Sequence, residues 1–304
     1  MAPGLASIRT LAALLALALL CALVRPDRAD AAVSTCSISS TGLIFSPYDT
    51  QTKAQVDGAG TISVTCTGSG KSTNLSLNLG GGNAGTCTDR KMANGTAMLT
   101  YNIFRDSSRV SNWCDGGSKL DIEMDFATGA TQTRTYTMYG RVSLGQNPTF
   151  ATYTDLLTVT LKQGGGTIAT GTTSISGSVA PTCSVTAGTL GFGSYSSASA
   201  ALASAGVSVN CSNGATYQVG LDGGQNVSGS TRRMTGPGGA MLSYQLFRDS
   251  LRTVAWGDGS ALGARVSGTG SGSAQALTVY GRIPAGQMPT PGSYTDSVIV
   301  TVEY

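Results

Sequence analysis

Met98-Leu99-Thr100-Tyr101-Asn102-Ile103-Phe104-Arg105-Asp106-Ser107 returns, 143 positions later, as Met241-Leu242-Ser243-Tyr244-Gln245-Leu246-Phe247-Arg248-Asp249-Ser250. Working outward, Tyr139-Gly140-Arg141, Gly145-Gln146 and Tyr153-Thr154-Asp155 recur at an offset of 141 as Tyr280-Gly281-Arg282, Gly286-Gln287 and Tyr294-Thr295-Asp296. One domain is therefore written twice. Within each copy, apolar residues alternate with small polar ones, as in Ile62/Val64/Cys66, Leu157/Val159/Leu161 and Val207/Val209/Cys211. A period of two is the signature of half-buried strands. The Gly, Ser, Asn and Pro clusters between these runs are turn formers, and no segment after the leader carries a helical face. The pattern predicts an all-β protein made of two tandem immunoglobulin-like β-sandwiches, each about 130 residues with six or so short strands.

The chain has 304 residues, a net charge of +3, 12% charged residues and no histidine. Histidine-based catalysis is excluded, and the low charge offers no basic face for nucleic acid. Arg9, the apolar run from Leu11 to Val24 and Ala29-Asp30-Ala31 have the order of a secretory signal, which places residues 1–31 in a cleaved leader. The first domain is expected over 32–162 and the second over 181–304. Residues 163–180 would be either a flexible linker or a strand that folds back to complete the first domain.

Without Cys21 of the leader, six cysteines remain in an exported chain, the composition of a disulfide framework. Fifteen connectivities are open to six cysteines, and the repeat selects among them. Cys36/Cys66 and Cys183/Cys211 occupy matching positions, so each copy closes its own loop. Cys87 and Cys114 fall opposite Ser230 and Gly257 and are absent together from the second copy, as a bonded pair would be.

Cys-Ser-Ile or Cys-Ser-Val at the domain start, Phe-Arg-Asp, Tyr-Gly-Arg, Gly-Gln-x-Pro and the closing Tyr-Thr-Asp before a Val-x-Val strand resemble the spore coat protein U family. That family includes subunits of archaic, Csu-type chaperone–usher pili. The resemblance covers 36–162 and 183–304. It implies a sandwich lacking its final strand, completed first by a periplasmic chaperone and then by an adjacent pilin, with export through an outer-membrane usher to the cell surface. It further implies an acceptor groove in the second copy, assigned to Val185, Phe192, Val298, Val300 and Val302. The sequence ends at Tyr304 just after the strand Val298 to Val302, so the C-terminal sandwich is expected to lack its last strand. Only Ala32 to Thr35 precede Cys36 after cleavage, too little for a donor strand. The expectation is a pilus tip adhesin that attaches to an abiotic or host surface and supports biofilm formation. The alternative is a structural coat or minor pilin subunit with no ligand of its own.

For the contact surface, the candidates are Leu120, Ile122, Met124 and Phe126, an apolar row facing Gly263, Arg265, Ser267 and Thr269 in the second copy. If exposed at the pole away from the second domain, such a row would mark a contact patch. If its alternation with Asp121, Glu123 and Asp125 makes an ordinary strand, the same side chains join the core. Phe150, opposite Pro291, is a lesser candidate for the same patch. Trp113 and Trp256 are equivalent and read as structural, and Arg105/Asp106 with Arg248/Asp249 read as ion pairs within turns. The acidic alternation lacks the loop of an EF-hand, and no cofactor, metal or enzymatic motif is expected.

Overall fold

A computed structural model describes residues 33–304; the expected leader lies outside the described residues. The first copy comprises β1 (Val33–Ile44), β2 (Val56–Leu79), β3 (Arg90–Asn94), β4 (Ala97–Phe104), β5 (Leu120–Val142), β6 (Ala151–Gln163) and β7 (Gly166–Val179). The second comprises β8 (Cys183–Ala187), β9 (Ala201–Cys211), β10 (Thr216–Leu221), β11 (Arg232–Thr235), β12 (Met241–Phe247), β13 (Val266–Thr269), β14 (Ala274–Ile283) and β15 (Val300–Glu303). Only two short 3₁₀ turns, Gly116–Ser118 and Pro237–Gly239, interrupt this all-β pattern among the described residues.

The copies differ in how their sheets join. In the second, a three-stranded sheet (β13-β10-β15) is separate from a five-stranded one (β11-β12-β14-β9-β8). In the first, pairing closes in a barrel-like order, β1-β2-β5-β4-β3-β6-β7, consistent with the expected immunoglobulin-like sandwich but with strands longer than the short ones expected. Two long strands, of 24 and 23 residues, cause the closure. β2 pairs with β5 along its whole length and, past a register shift near Gly70, also lines up with β6. Bends of this kind let one strand serve two sheets. In the second copy, turns at Gly214 and Gly272, both at positive φ, break the corresponding strands.

Each copy has its own core. The first is built from Leu43, Phe45, Ile62, Val64, Met92, Leu99, Leu157, Val159 and their neighbours, and the second from Val207, Val209, Tyr217, Val219, Leu242 and Trp256. Both tryptophans are buried and donate from the indole to a strand carbonyl, Trp113 to Leu77 and Trp256 to Val219, each at 2.9 Å. The bridges Cys36–Cys66, Cys87–Cys114 and Cys183–Cys211 form, the three pairs read from the repeat. In the Phe-Arg-Asp turns, however, the aspartate does not pair with its neighbouring arginine. Asp106 accepts from Ser108 and from the amides of Val110 and Ser111, and Asp249 accepts from Thr253 and Val254. A carboxylate two to five residues ahead of free amides satisfies them locally, while Arg105 reaches the Lys119 carbonyl instead.

Candidate functional site

Residues 166–179 decide what each copy leaves open. β7 runs antiparallel to β6 along nearly all its length, from Gln163↔Gly166 to Ala151↔Val179, and its later part lies parallel to β1 at Leu43↔Ile175. The hairpin between β6 and β7 turns on Gly164 and Gly165 at positive φ, the backbone a two-residue hairpin requires. Thr173, Ile175, Gly177 and Val179 point inward and are buried. Gly177 sits where a Cβ would press on Met92 and Phe45.

The second copy has the same walls without that strand. Phe192, Met234 and Tyr294 are the counterparts of Phe45, Met92 and Tyr153, and where the first set is 0–2% exposed, Phe192 and Tyr294 are only half-buried. Phe192, Val298 and Val300 line a cavity of about 340 Å³ together with Leu190, Met234, Leu246 and Val279. Val185 and Val302 pack against the same core beyond the cavity. At its end the groove opens into a wider depression bounded by Tyr195, Met288 and Pro291. β6 has 13 residues whereas β15 has four, and among the described residues β15 pairs only with β10. One edge of β15 is therefore unpaired above a partly uncovered core, the condition that invites strand addition.

The base of the groove is tied together by hydrogen bonds. Tyr101 donates to Asp155 at 2.7 Å and Tyr244 to Asp296 at 2.6 Å. Those aspartates also accept the amides of Asn83 and Gln225. Burial first, and then the bond to aspartate, hold both tyrosine hydroxyls protonated far above their ordinary range. Gly82 and Gly224 lie at positive φ directly against these carboxylates, where a Cβ would collide. Burial likewise pulls the Arg90 guanidinium down to about 10; it donates to the carbonyls of Gly80 and Trp113. This network was not read from the sequence, although the paired Tyr-Thr-Asp motifs carried its signal.

The pole of the first copy corrects the surface assignment. Ile122, Met124 and Phe126 are 4%, 1% and 4% exposed and belong to the core, with Leu120 half-buried beside them. They lie at the expected pole but face inward, because β5 pairs with β2 there and its alternation sends the carboxylates out: Glu123 pairs with Lys71 at 2.9 Å and Asp121 with Lys119 at 3.4 Å. The row plugs the barrel end. Phe150 lies at the opposite end, where its amide donates to the Asn213 carbonyl of the second copy at 3.2 Å. β6 starts at Ala151 and runs away from that junction, so the residue before it cannot share a surface with Phe126.

The Spore Coat Protein U domain matches residues 23–160 and 169–301. Protein U of Myxococcus xanthus is 38% identical over 63 residues, 21% of this chain and 34% of that protein, so the likeness spans about a third of the curated relative. A chain of the crystal structure of the CsuC–CsuE chaperone–tip adhesion subunit pre-assembly complex, from archaic chaperone–usher Csu pili of Acinetobacter baumannii, superposes with a TM-score of 0.50 at 19% identity, covering 89% of this chain and 100% of that one. The CupB6 tip adhesin of Pseudomonas aeruginosa gives a TM-score of 0.38 at 12% identity, covering 89% and 94%. With two matched segments spanning most of its length, the chain belongs to the Spore Coat Protein U domain family.

Proposed function

We propose that this chain is a subunit of a chaperone–usher pilus, incorporated when a strand from a neighbour enters the groove of the second copy. The observation that carries the reading is internal: the same walls hold β7 in the first copy and, among the described residues, no strand in the second. A periplasmic chaperone would cover the groove before assembly and an adjacent pilin afterwards, with the outer-membrane usher between. Because the first copy is completed by its own chain, it has no acceptor groove, which suits a terminal position at the cell surface.

In this reading the first copy's free pole makes the surface contact that supports attachment and biofilm formation. That pole presents Lys71, Glu123 and Asp125 over the buried apolar row, not an apolar patch. The same observation favours a second reading, a structural coat or minor pilin subunit without its own ligand. No enzymatic role is proposed.

β6 ends at Gln163, which corresponds to Tyr304 at the 141 offset. Appending the sequence of residues 164–179 after Tyr304 should recreate the hairpin, extend β15 and raise the unfolding midpoint of the second copy alone. An unchanged midpoint overturns strand acceptance. Substituting exposed Lys71, Glu123 and Asp125 together separates the two readings of the pole: surface attachment falls if it is the contact, and is unaffected in a purely structural subunit.

A further inference from the structure

The junction between the two copies is itself a docked interface, and the second copy repeats the loop that forms it. The loop Gln146-Asn147-Pro148-Thr149-Phe150 corresponds to Gln287-Met288-Pro289-Thr290-Pro291. The bases of the two loops are built alike. Gln146 accepts the Thr100 amide at 2.6 Å and returns a bond to its carbonyl at 2.9 Å; Gln287 does the same with Ser243 at 2.8 and 3.0 Å. The amides of Gln146 and Gln287 donate to Tyr48 and Tyr195.

The tips have different fates. In the first copy, Asn147 donates to the Ser271 carbonyl at 3.0 Å and accepts from Asn213 at 3.2 Å, and Pro148 is buried. Beside it, Thr50 bonds to Ser212 at 3.0 Å with both side chains fully buried. In the second copy, Met288 is 92% exposed. A lone exposed apolar side chain is ordinary; what sets Met288 apart is that its loop is the twin of one that makes a contact.

The chain path says what should cover it. β7 fills the first copy's groove and leads, through Ala180, Pro181 and Thr182, straight into β8, so the body docked on the Asn147 loop is the one that directly follows the groove-filling strand. From this geometry we propose that the Met288–Pro291 loop seats on the body of the neighbour whose strand occupies the second groove, making a second contact besides the strand. This rests on the strand-acceptance reading above. The partner is a different subunit with a domain pole of two loops, like Asn213–Gly214 and Ser271–Gly272. The first copy cannot serve, since its corresponding segments are continuous strands of β2 and β5, and the second copy's pole is occupied within the chain. With Met288 where the first copy has an asparagine, the seat is apolar, not a row of carbonyls.

The test uses the full chain in fibres assembled by its native cells, with p-benzoylphenylalanine introduced at position 288 or, separately, at Phe192 in the groove. The expected result is a photo-cross-linked product from both sites to the same neighbouring subunit, that from 288 mapping to its pole loops. With the probe at 290 the same neighbour should be captured, and that product should be lost when Met288→Asp is added. A product from 192 with none from 288 overturns the second contact and leaves strand acceptance standing. Absence of both overturns strand acceptance and this inference together.

Discussion

Val159 and Val300 are the same residue at the same position of the repeat, one beneath β7 and one bordering the open groove. Val159 is 0% exposed, so Val159→Ala removes two buried carbons worth about 0.8 kcal/mol each and leaves a cavity the barrel cannot collapse around, for a total of about 2–3 kcal/mol. For a domain of this size that lowers the midpoint by about 10 °C. Val300 is only partly buried beside the open groove, and its neighbours are free to relax, so Val300→Ala should cost under about 1 kcal/mol. Each copy holds one buried tryptophan, so urea unfolding followed by fluorescence reports both, and peptide-resolved hydrogen exchange assigns each loss to its copy. Equal losses in the two copies would refute the claim that β7 is what the second lacks. In the chain extended by residues 164–179, the Val300→Ala loss should climb to that of Val159→Ala.

Three other outcomes follow from the same structure. Phe126→Ala, at the plugged barrel end, should destabilise the first copy by about 3–5 kcal/mol; an unchanged unfolding midpoint would return this residue to the surface. Replacing Cys87 and Cys114 together by Ala should cost the first copy about 2–4 kcal/mol and leave the second copy's transition in place, as non-reducing denaturation of each copy would reveal. Acid should destabilise the fold: Asp57 is held below the usual carboxylate range by its bond to Arg141, Asp115 by Lys162, and Asp106 by the Ser108 hydroxyl and the Ser111 and Val110 amides. The unfolded chain, with carboxylates near 3.9, takes up protons first, so this stability is present above about pH 5 and drains away as pH falls through the folded values. Asp57→Asn should flatten the acid limb, and an identical pH profile would exclude the pair as a contributor.

Local pattern and internal comparison made much of this legible from the chain alone. Period two names strands, and recurrence of Met-Leu-x-Tyr through Arg-Asp-Ser shows two copies. The joint absence of Cys87 and Cys114 counterparts pairs them. Each is a property of neighbours along the chain or of one segment set against its twin. Tertiary structure alone decided whether an alternating row points in or out. Leu120 to Phe126 read equally well as a patch or a core side, because alternation fixes that two faces differ but not which one meets the barrel interior. That is set by pairing with β2, more than 40 residues earlier. The same holds for residues 166–179, whose Thr, Gly and Ser content suits a linker until β6 and β1 supply partners on both edges. Phe150 and Met288, alike in being exposed and apolar, separate only when one is seen against the second copy and the other against solvent.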